Sequence, residues 1–107
     1  MIASGLVANG VKVYITARKA ADCATTEASI REIGREVRSY SLDVREQESI
    51  RAFASAVEAD GINPSILVNN AGCNVRKSFF EITWDEWNTV LETNLRGPYF
   101  VTQAFAP

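Results

Sequence analysis

The sequence predicts an α/β fold built on a parallel sheet. Helix patterns alternate with strand patterns along the chain, in the order helix, strand, helix, strand, helix, strand, helix, and this alternation is typical of parallel sheets. One strand pattern, Ile66-Leu67-Val68, is continuously apolar instead of alternating with polar residues. A continuous apolar run is typical of a strand that is buried on both faces.

The first helix and the first strand are predicted within residues 2–17. Residues 2–9 predict the last turns of a helix that Asn9-Gly10 stops, because glycine adopts the left-handed conformation that ends many helices. A helix that begins at the first residue has no N-cap, so we expect its natural start to lie upstream. Residues 11–17 predict a strand, since β-branched and aromatic residues dominate them.

A second helix and a second strand follow. Residues 20–33 predict a helix that ends at Gly34. Its expected inward residues are Ala24, Ala28 and Ile30. Residues 36–42 predict the next strand, which Asp43 ends. Two strands joined by a helical crossover are expected to pair in parallel.

The clearest amphipathic pattern of the first half lies at about 45–59. Apolar residues at i, i+3, i+4 and i+7 predict a helix with one buried face, formed by Ile50, Phe53, Ala54 and Val57. Residues 60–64 contain Asp, Gly, Asn and Pro and predict a turn. The apolar strand at 65–69 comes next, and we expect it to lie in the buried part of the sheet.

The remainder of the chain predicts a loop and then a long helix. Residues 73–82 have no regular period and predict a loop. Thr83 and Glu86 match a capping box, in which each side chain accepts the other residue's N–H, so a helix begins there and runs to about Ala106. The expected apolar face of this helix is Trp87, Val90, Leu91, Asn94 and Leu95.

Composition indicates one small globular domain. The chain has 107 residues and a net charge of −2, which argues against nucleic acid or an anionic membrane as its main partner. No apolar run reaches the ~20 residues of a membrane span, and no basic leader is present. The two cysteines lack metal-ligand spacing, so a reducing, cytoplasmic location is expected. Without histidine, no His-based triad or His-ligated zinc is expected, and we predict no metal site.

Polarity changes abruptly after the apolar strand, at Asn69-Asn70-Ala71-Gly72. Open α/β sheets bind ligands just beyond the carboxyl ends of their strands. Amide side chains donate and accept hydrogen bonds, and small residues let a flat ligand approach the backbone. We therefore expect Asn70, Ala71 and Gly72 to line a ligand site. An asparagine-rich turn is the alternative.

Asn94 is the most informative single residue, because it falls on the expected apolar face of the last helix. A buried amide without a partner costs roughly 1–3 kcal/mol. Pro98 lies four residues later, and it has no N–H to donate to the Asn94 carbonyl oxygen. The sequence therefore predicts a kinked helix with a free carbonyl oxygen and a side-chain amide at one place. A structural kink with an incidentally buried asparagine is the alternative.

Two of these segments resemble the short-chain dehydrogenase/reductase family. Asn69-Asn70-Ala71-Gly72 resembles the NNAG motif of the family, and Thr93-Asn94-Leu95-Arg96-Gly97 resembles the segment around its motif asparagine. The resemblance implies an α/β fold, a partial Rossmann-type doubly wound parallel sheet, and an NAD(P)-dependent oxidoreductase. It also implies a catalytic role for Asn94, whose main chain would help to hold a water in the proton relay to a lysine.

The resemblance also assigns residues to the cofactor. The strand at 11–17 matches the second strand of a dinucleotide fold, at whose tip a carboxylate favours NAD and an arginine favours NADP. Arg18 and Lys19 occupy this tip without a carboxylate, so NADP is expected over NAD, and a solvated surface pair is the alternative. An Asp-Val pair lies against the adenine in family members, and Asp43-Val44 stands at the matching place.

Two other motifs of the family are missing from the sequence. Neither the glycine-rich phosphate loop nor a Tyr-x-x-x-Lys pair occurs. Residues 1–107 are therefore expected to form a partial dinucleotide-binding domain that is truncated at both ends and inactive alone. Its parent enzyme is expected to be a homo-oligomer that reduces a small-molecule carbonyl of 3-oxoacyl or sugar-acid type to an alcohol. A truncated, non-catalytic binding or assembly element is the alternative.

Overall fold

The structure, a computed structural model, describes residues 2–32 and 37–106. The chain forms two compact units, a first unit of residues 1–43 and a second unit of residues 44–107. Apolar side chains are buried in both units, and both cysteines are free thiols. None of the helices within the described ranges is long and apolar enough to cross a bilayer.

The first unit is a short helix followed by two parallel strands with a helical crossover. Its elements are α1 (Ile2–Ala8), β1 (Val13–Ala17), α2 (Ala20–Arg31) and β2 (Val37–Ser41). The strands pair in a register that runs from Val13 opposite Val37 to Ala17 opposite Ser41, which confirms the predicted parallel pairing. The centre of the core is formed by Val7, Ile30 and Val37.

The end of α1 lies where the sequence predicts it. Gly10 has a φ of 86°, which is a left-handed conformation that glycine adopts without strain. The Gly10 N–H donates to the Val7 carbonyl at 3.0 Å, and the Val11 N–H donates to the Leu6 carbonyl at 3.1 Å. Two carbonyl oxygens of the last turn are thereby satisfied, as in a glycine-based helix stop.

The buried face of α2 differs from the prediction. Cys23 and Ile30 are buried, whereas Ala24 and Ala28 are exposed. Residues seven apart share a face of a helix, but Ala28 and Ile30 are only two apart and point in different directions. The prediction is therefore confirmed for Ile30 and wrong for Ala24 and Ala28, which helical spacing places on other faces. The predicted stop at Gly34 lies outside the described residues.

The second unit is mainly helical. Its elements are α3 (Gln47–Ala59), one 3₁₀ turn (Phe79–Glu81), α4 (Trp84–Leu91), a π turn (Glu92–Arg96) and α5 (Gly97–Phe105). The amphipathic prediction for α3 is confirmed, since Ile50, Phe53 and Val57 are buried. The Phe53 ring packs against the Phe105 ring of α5, with 5.3 Å between their centroids. The predicted turn follows α3, and Gly61 adopts a φ of 70° in it.

Residues 65–69, predicted as a buried strand, have no regular secondary structure. A strand is stabilised by the backbone hydrogen bonds of a neighbouring strand. The only strand pairing among the described residues joins β1 to β2, so this segment has no ladder. Ile66 is 72 % exposed and Val68 is 50 % exposed. The strand prediction is therefore wrong for this chain, and the apolar run lies at the surface.

The predicted capping box begins α4. The Thr83 hydroxyl accepts the Glu86 N–H at 3.2 Å, and the Glu86 carboxylate accepts the Thr83 N–H at 3.0 Å. The predicted apolar face of this helix is not buried, since Trp87 is 59 % exposed and Leu95 is 67 % exposed. An amphipathic face is buried only where another layer covers it, and no described residue covers this part of the helix.

The irregularity predicted at Asn94 and Pro98 takes the form of a π turn. The turn spans Glu92–Arg96 and directly precedes α5. In it, the Gly97 N–H donates to the Glu92 carbonyl five residues back instead of four. π turns inside helices occur frequently at functional sites.

Candidate functional site

Asn94 holds the backbone of Cys73 with two hydrogen bonds. Its Oδ1 accepts the Cys73 N–H at 2.8 Å, and its Nδ2 donates to the Cys73 carbonyl oxygen at 2.7 Å. A side-chain amide can offer a donor and an acceptor together, so Asn94 acts here like a neighbouring strand. Asn94 is exposed, which corrects the prediction of a buried amide. The free Asn94 carbonyl oxygen stays a prediction.

The same helix also holds Asn69. The Asn69 Nδ2 donates to the Thr102 Oγ1 at 3.0 Å, and the Thr102 hydroxyl donates to the Pro98 carbonyl oxygen at 2.7 Å. Because the hydroxyl proton is directed to Pro98, the lone pairs of Oγ1 are left to accept from Asn69. Both ends of the segment 69–73 are therefore attached to the helical segment that contains Asn94.

The predicted ligand residues Asn70, Ala71 and Gly72 lie between these two attachments. All three are exposed, so a ligand can reach them. A Cβ on Gly72 would be 3.5 Å from the Asn94 Oδ1, which is an ordinary van der Waals contact. The structure therefore brings Gly72 and Asn94 together, and the space around Gly72 does not by itself require glycine.

Val44 packs against the first residue of α5. A Cβ on Gly97 would be 2.8 Å from the Cβ, Cγ2 and carbonyl oxygen of Val44, so a larger residue would displace Val44. The neighbouring Arg96 guanidinium donates to the Arg45 carbonyl oxygen at 3.3 Å and pairs with the Glu92 carboxylate at 3.4 Å. Gly97 therefore packs against Val44, and Arg96 bonds Arg45, the residue that follows Val44. These two contacts hold the half-buried Val44 in place.

Arg18 and Lys19 lie at the carboxyl end of β1, where α2 begins. Both are exposed, and neither side chain has a hydrogen-bond or ion-pair partner within residues 2–32 and 37–106. Lys19 is the N-cap of α2, and no side chain caps this end, so N–H groups with partial positive charge face outward. The nearest acidic residue along α2 is Asp22 in its first turn. Two cations at an uncapped helix end fit an anionic group such as a phosphate ester.

Asp43 lies at the same edge of the sheet as Arg18. The Leu42 N–H donates to the Ala17 carbonyl at 2.8 Å, which continues the pairing of the two strands up to this edge. Asp43 follows directly and is half-buried. Because parallel strands end at one edge, the first unit places Arg18 and Asp43 at its carboxyl edge, where α/β sheets bind ligands.

Glu86 connects the loop before α4 to the helix itself. Its carboxylate pairs with the Lys77 ammonium in addition to accepting the Thr83 N–H. The Lys77 hydrogen bond, followed by the Thr83 backbone bond, holds the pKa of the Glu86 carboxyl below its ordinary value. The loop that follows Gly72 is thereby fixed to the start of the helix that carries Asn94.

A shallow groove of about 560 Å³ runs along the helix beside Asn94. Its walls are formed by Asn94, Leu95, Pro98, Tyr99, Thr102 and Gln103. The groove therefore contains both side chains that hold the segment 69–73. No group of three or more His, Cys, Asp or Glu side chains in the described part of the chain is arranged to hold a metal ion.

The sequence does not point to Thr102 or to the packing of Gly97, and it does not predict that Lys77 pairs with Glu86. Thr102 bonds a residue 33 positions away, and no periodicity or motif links positions at such a distance. Gly97 was part of the recognised Asn94 segment, but its close contact with Val44 depends on tertiary packing. A helix-interior glycine lowers helix stability, and this was the one available indication that Gly97 has a packing role.

Comparison with known proteins gives a family for the whole chain. Residues 1–107 match the family model described as short chain dehydrogenase. Gluconate 5-dehydrogenase of Gluconobacter oxydans is 29 % identical over 105 residues, which cover 98 % of this chain and 41 % of that protein.

Two solved structures extend the comparison to the fold. A gluconate 5-dehydrogenase from Burkholderia cenocepacia in complex with NADP and tartrate is 32 % identical, with a TM-score of 0.88 over 98 % of this chain and 41 % of that one. An actinorhodin polyketide ketoreductase with NADPH is 35 % identical, with a TM-score of 0.90 over 97 % of this chain and 40 % of that one.

The chain thus spans about two fifths of the length of these relatives. Its helices and its parallel strand pair form a partial α/β fold of Rossmann type, as the sequence predicted. The match extends over both units and includes the Asn-Asn-Ala-Gly segment and Asn94. The chain belongs to the short-chain dehydrogenase family.

Proposed function

We propose that this chain is the cofactor-binding part of an NADP-dependent oxidoreductase that converts a small-molecule carbonyl into an alcohol. The observation that carries the proposal is the pair Arg18 and Lys19, unpartnered among the described residues at the uncapped start of α2. The 2′-phosphate that distinguishes NADP from NAD is an anion, and arginine binds phosphate through several N–H groups at once. Two solved relatives hold NADP or NADPH, which supports the choice of cofactor.

The residues proposed to contact the cofactor fall into two groups, one in each unit. In the first unit, Arg18 and Lys19 bind the 2′-phosphate, and Asp43 binds the adenine. Val44 of the second unit is assigned to the adenine as well. In the second unit, the exposed residues Asn70, Ala71 and Gly72 form a surface along the cofactor. NADPH, when bound, supplies the hydride for carbonyl reduction. The chain's own residues bind and orient it.

Asn94 takes the catalytic role in this proposal. Its main chain helps to hold a water through which a proton passes towards the substrate oxygen. Its side chain is occupied by the two hydrogen bonds with Cys73, so the side chain orients the main chain and does not transfer the proton. The tyrosine and lysine of the family's relay do not occur as a Tyr-x-x-x-Lys pair in this sequence, so the chain alone is proposed to be inactive.

The substrate of the parent enzyme is proposed to be a 3-oxoacyl or sugar-acid carbonyl. A gluconate 5-dehydrogenase and a polyketide ketoreductase among the relatives support this pair of classes. The parent is further proposed to be a cytoplasmic homo-oligomer. The free thiols are consistent with a reducing compartment, and the exposed apolar face of α4 offers a surface for a second copy.

The cofactor assignment can be tested on this chain by nucleotide titration followed by NMR. Adenosine 2′,5′-bisphosphate and adenosine 5′-monophosphate differ only in the 2′-phosphate, so their affinity ratio reports recognition of that group. We expect the bisphosphate to bind more tightly and Arg18→Asp to abolish the difference, about a tenfold effect for a charge-assisted contact. Lys12→Asp is the control, because Lys12 is an exposed cation just before β1. An unchanged ratio in Arg18→Asp would show that Arg18 does not bind the 2′-phosphate.

A second function, that of a non-catalytic binding or assembly element, is favoured by the exposed apolar run Ile66-Leu67-Val68. Such a run with unpaired backbone groups can pair with another chain. The reading frame that follows Pro107 distinguishes the two functions. A serine and a Tyr-x-x-x-Lys pair encoded there support the reductase, and a stop codon directly after Pro107 supports the assembly element.

A further inference from the structure

The segment Asn69–Cys73 is attached to the helix at both ends, and nothing else in the described structure bonds its middle. At one end the Asn69 side chain bonds the Thr102 hydroxyl at 3.0 Å. At the other end the Cys73 N–H and carbonyl bond the Asn94 amide at 2.8 and 2.7 Å. The segment and the helix run in opposite directions, because the first residue of the segment, Asn69, bonds the later helical residue, Thr102.

The separation of the two attachments along the helix is comparable to the length of the segment. Asn94 and Thr102 are eight residues apart, which is about 12 Å along a helix. Asn69 and Cys73 are four residues apart, which is about 13 Å when the backbone is fully extended. The segment is therefore long enough to join the two attachments, with the side chains of Asn69, Thr102 and Asn94 completing the links. The positions of Asn70, Ala71 and Gly72 are therefore determined by both attachments together.

We infer that Thr102 is a positioning residue that, together with Asn94, holds the segment 69–73 against the helix. Loss of the Thr102 hydroxyl should loosen the whole segment and weaken the bond at its far end, at Cys73. The link to cofactor binding rests on the proposed function, in which Asn70, Ala71 and Gly72 lie along NADPH. The inference about the segment itself does not depend on that function.

The first test removes the hydroxyl of Thr102, the partner of the Asn69 end, and measures hydrogen exchange at the Cys73 end in this chain. Thr102→Val keeps the shape of the side chain and removes the hydroxyl. We expect hydrogen exchange at the Cys73 amide to become roughly fivefold faster, the effect of losing one hydrogen bond of ordinary strength. Amides in the middle of α3 should keep their exchange rates, because a local loosening does not unfold the unit. Thr102→Ser, which restores a hydroxyl, should restore slow exchange at Cys73.

Thr25→Val is the matched control, because Thr25 is an exposed threonine on α2 of the first unit. It should leave the Cys73 amide unchanged. If Thr102→Val also leaves Cys73 unchanged, the two attachments are independent and the inference is overturned. If it accelerates exchange in α3 equally, Thr102 serves general stability and the inference is likewise overturned.

A second test uses the proposed parent enzyme, a protein of the length of the family relatives that includes residues 1–107. We expect Thr102→Val to raise KM for NADPH about fivefold, with Thr102→Ser close to the parent protein. An unchanged KM, together with faster exchange at Cys73, overturns the link to cofactor binding. It leaves intact the inference that Thr102 holds the segment 69–73. If the proposed parent enzyme reduces no carbonyl with NADPH, the proposed function fails and the exchange experiment still decides the role of Thr102.

Discussion

Gly97 lies so close to Val44 that an added Cβ would be 2.8 Å from the Val44 Cβ, Cγ2 and carbonyl oxygen. We expect Gly97→Ala to destabilise the chain by about 1–2 kcal/mol. Overpacking typically costs about 1–3 kcal/mol, and the better helix propensity of alanine offsets at most about 1 kcal/mol of this. The free energy of unfolding in urea measures the effect.

Gly5→Ala is the matched control for this prediction. Gly5 also lies in a helix, α1, but a Cβ there would meet nothing within 4 Å. The same substitution should therefore stabilise the chain by about 0.5–1 kcal/mol through helix propensity alone. If both variants change stability in the same direction, the contact of Gly97 with Val44 is not the cause.

Asn94→Ala should lower kcat in the proposed parent enzyme, and it should also raise KM for NADPH because it releases the Cys73 end of the segment 69–73. The substitution removes both hydrogen bonds to Cys73 and releases the main chain that is proposed to hold the relay water. We expect kcat to fall at least about tenfold, at the low end of what a proton-transfer group contributes. Asn88→Ala on α4 is the control. An unchanged kcat for Asn94→Ala would show that Asn94 has only a structural role and takes no part in the reaction.

Local signals in the sequence predicted local structure well. The Thr83–Glu86 capping box, the stop at Gly10 and the buried face of α3 each depend on residues within a few positions of one another. The structure confirms all three. The α2 face is the exception, and there the chosen residues did not obey helical spacing.

Apart from the parallel pairing of β1 with β2, features that depend on distant partners were not predictable. Residues 65–69 carry a strand pattern, but a pattern cannot supply the neighbouring strand that its hydrogen bonds require. The sequence pattern predicts that Asn94 is buried, whereas in the structure its side chain is exposed and bonds Cys73, 21 positions away. A single bond between a side chain and a distant backbone group leaves no periodic trace in the sequence, so this role of Asn94 could not be read from the pattern.

The start of α4 should become less stable as the pH falls. The Glu86 pKa lies below its ordinary value in the folded chain, mainly because Lys77 donates to the carboxylate. A depressed pKa stabilises the fold above the pKa of the unfolded chain, and this stabilisation is lost as the pH falls through the folded value. NMR titration of the Glu86 carboxyl, together with amide exchange in the first turn of α4, should show the loss below about pH 4.5.

Two substitutions separate the causes of this acid sensitivity. Glu86→Gln keeps an acceptor for the Thr83 N–H but carries no charge, so its first helical turn should not respond to acid. Lys77→Met removes the largest cause, and the Glu86 pKa should then rise towards its ordinary value. A Glu86 titration that is identical in Lys77→Met and the parent chain would contradict the ion pair.

The two thiols should react at different rates with iodoacetamide. Cys23 is buried, and burial, followed by the charges of Asp22 and Glu27, raises the pKa of its thiol. Cys73 is only partly buried. Because the thiolate is the reactive form, peptide mapping at pH 8 should find Cys73 labelled several-fold faster, and urea should remove the difference. Equal rates in the folded chain would show that Cys23 is not protected by the core.

The exposed apolar run should make this chain associate with itself. Ile66 is 72 % exposed, Leu67 and Val68 are also exposed, and the segment has no strand partner among the described residues. Such segments pair with one another through both side chains and backbone groups. We expect sedimentation velocity to show association that grows with concentration and that Ile66→Lys weakens.

Two further variants decide whether backbone pairing drives this association. Leu67→Pro stays apolar but removes a backbone N–H from the run, so it should weaken association as much as Ile66→Lys does. Phe80→Lys adds the same charge at a side chain that is 92 % exposed in the 3₁₀ turn, outside the run. If Phe80→Lys weakens association as strongly as the other two, charge repulsion between exposed surfaces explains the effect. If only the substitutions within 66–68 act, strand pairing by this run is the cause.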